Sequence, residues 1–170
     1  MLIDFMPFNA FASETDTING TAGAMKALTG SDKKQVLSDE EALPAGNSIS
    51  DWVAMTLALS GSEEAYSAYL DRLEEYVSDC YEEQGCIDDV KATETQRIAL
   101  TVLALGGDPQ NFGTDENGEP VNLIADGTWN FPGGSIGQQG TNGYIYGLLA
   151  LDANNYEIPA DADMTREQLM

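Results

Sequence analysis

The tripeptide Leu-Ala-Leu recurs at a fixed interval, as Leu57-Ala58-Leu59, Leu103-Ala104-Leu105 and Leu149-Ala150-Leu151, each copy 46 residues beyond the last. Each copy lies near the C-terminal end of an apolar run of helical character, and helix-stopping or polar residues follow it. A period of this length is that of stacked helical hairpins, in which one helix of each pair is buried against its neighbours and the other is exposed. The register predicts an all-α chain of helical-hairpin repeats. An open HEAT-like solenoid and a closed α/α-toroid both satisfy it.

Local signals place the hairpins. Residues 13–48 are rich in Thr, Gly, Ser, Asp and Ala, with weak helical patterning, and read as a flexible or weakly helical leader. The domain proper spans 49–170. Ser50 is placed to cap a first helix, DWVAMTLAL, which stops at Gly61. Ser62 is placed to cap a second, in which Tyr66, Tyr69, Leu70, Leu73, Tyr76, Val77 and Cys80 form one apolar stripe opposite an acidic face. Thr93 to Gln96 reads as a capping box that opens a third helix, apolar on nearly all sides, which ends at Gly106-Gly107-Asp108-Pro109. A short helix is expected over 121–126. A Gly-rich loop then leads to another buried helix, YIYGLLALD. Thr165 to Gln168 is a second capping box, opening a helix with little body before Met170, and the expectation is a chain that stops part-way through a repeat.

Composition narrows the chemistry. Asp and Glu number 29 against 7 Lys and Arg, for a formal net charge of −22, so nucleic acid and anionic membrane surfaces are poor partners. The chain holds no histidine, which excludes a histidine base, a Ser-His-Asp triad and a His-containing zinc site within it. No apolar run approaches the length of a membrane span. Residues 1–12 end in Ala10-Phe11-Ala12, an A-x-A pattern, and read as the remnant of a secretory signal. Secretion or cell-surface residence is the corresponding expectation. Cys80 and Cys86 bracket CYEEQGC; a short-loop disulfide and two free thiols both fit that spacing, whereas metal binding does not. Asp88-Asp89 reads as a solvated pair and GTDENG as a turn rather than a calcium loop, since no acid occupies its twelfth position.

The stretches TETQRIALTVLALGGDPQNF, NLIADG, QQGTNGYIYGLLALDANNYEIP and TREQLM, in that order, resemble a family of exported bacterial proteins with prenyltransferase/squalene-cyclase-type repeats. The resemblance covers residues 50–170. It implies a partial α/α-toroid of the terpenoid cyclase/protein prenyltransferase kind, with inner helices lining a central cavity. It also implies export. Terpene cyclases of that superfamily protonate their substrate through D-x-D-D; the string Asp161-Ala162-Asp163-Met164 lacks the final acids. No catalytic residue, cofactor or metal site is expected. If the helices after Ser50, Lys91 and Thr141 are inner ones, the residues near their starts are Trp52, Glu94, Gln96, Arg97, Asn142 and Tyr144. These are the candidate lining of a ligand-binding mouth, with capping and a Glu94–Arg97 ion pair as the structural alternative. The function expected is a non-catalytic extracellular or cell-surface module that binds a small-molecule or surface ligand. A fragment of a cyclase- or prenyltransferase-type enzyme is the other reading.

Overall fold

A computed structural model describes residues 14–162 and 164–170. The signal-like segment 1–12 lies outside the described residues, as does Asp163. Among the described residues the chain is all-α, with seven helices: α1 (Glu14–Leu28), α2 (Ser48–Leu59), α3 (Tyr66–Gln84), α4 (Ala92–Ala104), α5 (Leu123–Asp126), α6 (Thr141–Ala153) and α7 (Arg166–Leu169). Two 3-10 turns, Val36–Ser38 and Ile136–Gln139, punctuate them. The remaining β-type pairing is an isolated bridge between Thr114 and Pro120.

The core forms around α4, which packs against α2 on one side, α6 on the other, and α5. Ile98, Ala99 and Val102 of α4 are fully buried, as the all-round apolar character of that helix requires. Helix α3 supplies a single stripe, Tyr69, Leu73, Val77 and Tyr81 at four-residue steps, all buried. Burying such a side chain stabilises the fold by about 1.5–3 kcal/mol relative to leaving it in water. The opposite face of α3 carries its Glu and Asp residues outward.

Residues 14–48 are not a loose leader. Val36, Leu37 and Leu43 are buried in the same core as α3 and α4, and Ala22 of α1 joins them. The Leu37 amide donates to Glu64 Oε2 at 3.2 Å, and Arg72 donates to the Leu37 carbonyl at 2.6 Å. The low apolar content of this segment hid three side chains that the domain needs to close its core.

Helix starts also differ from the capping signals. Asn47, not Ser50, caps α2, accepting from the Ile49 amide at 3.0 Å; Ser50 is one turn inside and buried. Helix α3 starts after Ala65 with no side-chain cap, while the Ser62 hydroxyl bonds Ser60. The Thr93–Gln96 capping box does not form, because α4 begins earlier and both side chains are drawn into tertiary contacts. Asp88 holds the turn into α4 instead, accepting from the amides of Val90 and Lys91 at 2.8 and 2.7 Å. The box at Thr165 does close, with the Thr165 amide donating to Gln168 at 2.7 Å. Gly61 follows α2 in the left-handed region (φ 71°), the C-terminal stop read from the sequence.

The Leu-Ala-Leu triplets mark three neighbouring helices, but not equivalent faces. Leu57 is buried and Leu59 exposed in α2, whereas in α6 Leu149 is exposed and Leu151 buried. Residues two apart on a helix point about 200° from each other, so α2 and α6 present opposite sides of the same triplet to the core. Helix α6 is correspondingly not buried all round: Ile145 and Leu149 face solvent.

Candidate functional site

Three hydrogen-bonded links hold the N-terminal turns of α2, α4 and α6 together. Arg97 of α4 pairs with Asp51 of α2, 46 residues earlier, and also donates to the Gly46 carbonyl at 3.2 Å. Gln96 reaches the other way, donating to the carbonyls of Gly127 and Gly143 at 2.6 and 2.9 Å. Thr93 donates through its amide and hydroxyl to Gln139, 46 residues later, at 3.1 and 2.8 Å. Asp51 is wholly buried and is completed by the Tyr69 hydroxyl, which donates at 2.6 Å, and the Gly46 amide at 3.2 Å. Burial draws the Arg97 guanidinium down to about 10, which leaves it charged at neutral pH. The Glu94–Arg97 pair forms at 2.7 Å.

These bonds decide what the six candidate lining residues do. Gln96 and Arg97 are buried between helices and line no open mouth, because α4 is covered on both flanks. Glu94 is half-buried on Arg97. Tyr144 is half-buried, its hydroxyl packed so close to Gly137 that a Cβ there would overlap it. Asn142 is exposed on the first turn of α6. Trp52 is exposed, and its ring meets that of Tyr146 edge-on, with centroids 6.3 Å apart and planes at 68°. Helix α4 lies between α2 and α6, so this aromatic pair bridges over α4.

The Trp52–Tyr146 bridge sits within the open apolar surface of these helices. Ile49 and Leu59 share its stripe on α2, and Ile145 and Leu149 adjoin Tyr146 on α6; all four are exposed. Contiguous exposed apolar surface is a recurrent feature of interaction sites. Ile49, Leu59, Ile145, Tyr146 and Leu149 escaped the sequence reading because an apolar residue on an apolar helix looks the same whether it faces core or solvent.

A second feature is an acidic cleft of about 370 Å³ between the end of α3 and α5, lined by Tyr81, Asp115, Glu116, Val121, Asn122 and Asp126 among others. Asp126 accepts from the Tyr81 hydroxyl and from Asn130, each at 2.7 Å. Burial pushes its carboxyl above the ordinary value of 3.8 despite those two donors. A carboxyl raised in this way stabilises the fold most at low pH, and that contribution is lost as pH rises from 3.8 through the folded value. Asp126→Asn should therefore gain on wild type as pH rises from acid to neutral. Urea unfolding of both across that range would read it, and a pH-independent gap would refute it. Asp115 is no ligand loop: its carboxylate accepts from the amides of Asn117 and Glu119 at 2.8 and 2.9 Å, the turn expected of GTDENG.

Cys80 and Cys86 are free thiols. Cys80 lies on α3, whereas Cys86 falls beyond the left-handed stop at Gly85 and is buried. Among the described residues, no group of three or more His, Cys, Asp or Glu could hold a metal ion. No helix among them is long and apolar enough to cross a membrane. Comparison with protein-family models, with curated proteins and with solved structures finds no match.

Proposed function

We propose that α2, α4 and α6 are inner helices of a partial α/α-toroid of the prenyltransferase/squalene-cyclase type, and that the protein is an exported, non-catalytic module that binds an apolar ligand on their shared face. The observation that carries this reading is the Trp52–Tyr146 bridge over α4, continued by exposed Ile49, Leu59, Ile145 and Leu149. Aromatic rings offer large contact area with few rotatable bonds, which suits them to anchor a ligand. The links Asp51–Arg97 and Thr93–Gln139, each one 46-residue period long, favour repeat stacking.

The test uses a neutral apolar dye, Nile red. Wild-type protein should enhance its emission and shift it to the blue. Trp52→Ala combined with Tyr146→Ala should reduce the apparent affinity by about tenfold or more, in line with loss of an interface anchor. Circular dichroism would check that the variant keeps its helices. Equal dye binding by folded wild type and variant would sink the proposal.

A further inference from the structure

The charge around this apolar face narrows what it accepts. The chain has seven basic residues against 29 acidic ones, and the basic ones are largely engaged. Lys26 pairs with Glu64, Lys33 with Asp39, Arg97 with Asp51 and Glu94, and Arg166 with Asp152, while Arg72 is bound to the carbonyls of Ala68 and Leu37. Helices α2 and α6 carry no Lys or Arg, and the single one on α4 is the buried Arg97. Apart from exposed Lys91, which stands just before α4 at the N-terminal end, these three helices thus offer no free positive charge beside the Trp52–Tyr146 bridge.

Negative charge, by contrast, collects at one end of it. The N-terminal turns of α2, α4 and α6 are clasped together and the helices are 12, 13 and 13 residues long, so their C-terminal ends lie together at the opposite end. Each such end carries a partial negative charge of roughly half an electron from its unpaired carbonyls. Exposed Glu63 and Asp108 follow the ends of α2 and α4, while Asp152 at the end of α6 is paired with Arg166. An apolar floor with an anionic end and an anionic surround is complementary to an apolar molecule that carries cations, and repels an anionic one. It also disfavours a second copy of this chain, which would bring a further net charge of −22 onto the same face.

We infer that the face formed by α2 and α6 over α4 docks a cationic amphipathic segment of a partner protein, one whose large apolar side chains meet Trp52, Tyr146, Ile145 and Leu149 while its Lys or Arg side chains meet the helix C-terminal ends. This rests on the binding face proposed above and adds the partner's chemistry to it. The aromatic bridge provides the anchor, and the charge field provides the selection.

The test titrates a short amphipathic Leu/Lys peptide and its neutral Leu/Gln counterpart into the full chain, reading Trp52 emission in a Trp129→Phe background. The Leu/Lys peptide should shift that emission to the blue and bind about tenfold or more tighter than the Leu/Gln peptide at low salt, with the advantage shrinking at high salt. Ile145→Ser combined with Leu149→Ser should weaken it by a similar factor while leaving the helical signal intact, and sedimentation should show a monomer before peptide is added. Equal binding of both peptides would overturn the cationic assignment while leaving the apolar face in place. Binding of the Leu/Lys peptide that ignores the Ile145 and Leu149 changes would also overturn it, by placing the peptide elsewhere on the acidic surface. So would a dimer that buries Trp52. Failure of both peptides and of Nile red would remove the binding face itself.

Discussion

Asp51→Ala is expected to destabilise the chain by about 3–5 kcal/mol, the cost of breaking a buried ion pair by removing one partner. Asp51 is completely buried and serves three donors: the Arg97 guanidinium, the Tyr69 hydroxyl and the Gly46 amide. Without it Arg97, only 4% exposed, keeps a charge in the interior with Glu94 as its remaining carboxylate. Tyr69, fully buried, loses its acceptor as well. For a chain of this size the loss corresponds to a fall in Tm on the order of 10 °C. The cost arises from stranding the partners, so removing them together should restore most of it. Asp51→Leu, Tyr69→Phe and Arg97→Met combined should return to within about 2 kcal/mol of wild type, since well-packed apolar groups replace a buried ion pair at little net cost. Thermal and urea unfolding of both variants provide the check. A single Asp51→Ala variant within about 1 kcal/mol of wild type would mean that the link between α2 and α4 is not energetically important.

Gly143→Ala is the second large effect, and its sign runs against local propensity. In an isolated helix, replacing an interior glycine by alanine is favourable by about 0.8–1.0 kcal/mol. Here a Cβ at Gly143 would overlap the backbone carbonyl of Ile136, which a side-chain rotation cannot move aside. The 3-10 turn Ile136–Gln139 is pinned to α4 through Gln139 and Thr93, so α6 itself must shift. That shift would also pull the Gly143 carbonyl away from Gln96. Overpacking of this kind costs about 1–3 kcal/mol and more when backbone is the obstacle, and loss of the Gln96 bond adds about 1 kcal/mol. Gly147, one turn along the same helix, is the control. Its added Cβ would meet Gln96 Nε2 at 3.3 Å, and Gly147→Ala should stay within about 1 kcal/mol of wild type because the propensity gain offsets the crowding. Calorimetry of the two variants separates them; equal melting temperatures would contradict the close approach of α6 to its 3-10 turn.

The candidate site shows where reading the chain in one dimension loses information. Trp52 is identifiable because it stands near a helix start and is large, whereas its partner Tyr146 lies in a run, YIYGLLALD, that reads as a buried helix. Arg97 and Glu94 fit either an open mouth or an ion pair within one helical turn, and they form the pair. Their pairing was legible from a spacing of three, but the dominant partner of Arg97 is Asp51, 46 residues away, which no local signal reports. Thr93 and Gln96 fit a capping box as well as any sequence can, and lose that role because the Thr93 amide and hydroxyl donate to Gln139 while the Gln96 side-chain amide donates to the carbonyls of Gly127 and Gly143.

What the amino-acid order determined by itself was periodic and local: helix positions from apolar spacing, stops at Gly61 and Gly106-Gly107, the turn at Asp115, the capping box at Thr165 and the order of three related helices. Such features depend on neighbours within one or two turns, and their energies are set before the chain is compact. Tertiary structure decided the rest. It buried Leu37 and Leu43, turned α2 and α6 so that the shared Leu-Ala-Leu triplet faces opposite ways, made Gln96 and Arg97 internal clasps, and left Trp52 exposed against a half-buried Tyr146. The physical reason is that burial belongs to a face, and a helix of apolar residues has several to offer. Which one meets solvent is chosen by the buried polar groups, since Asp51, Arg97 and Gln96 each have few arrangements that satisfy them in the interior.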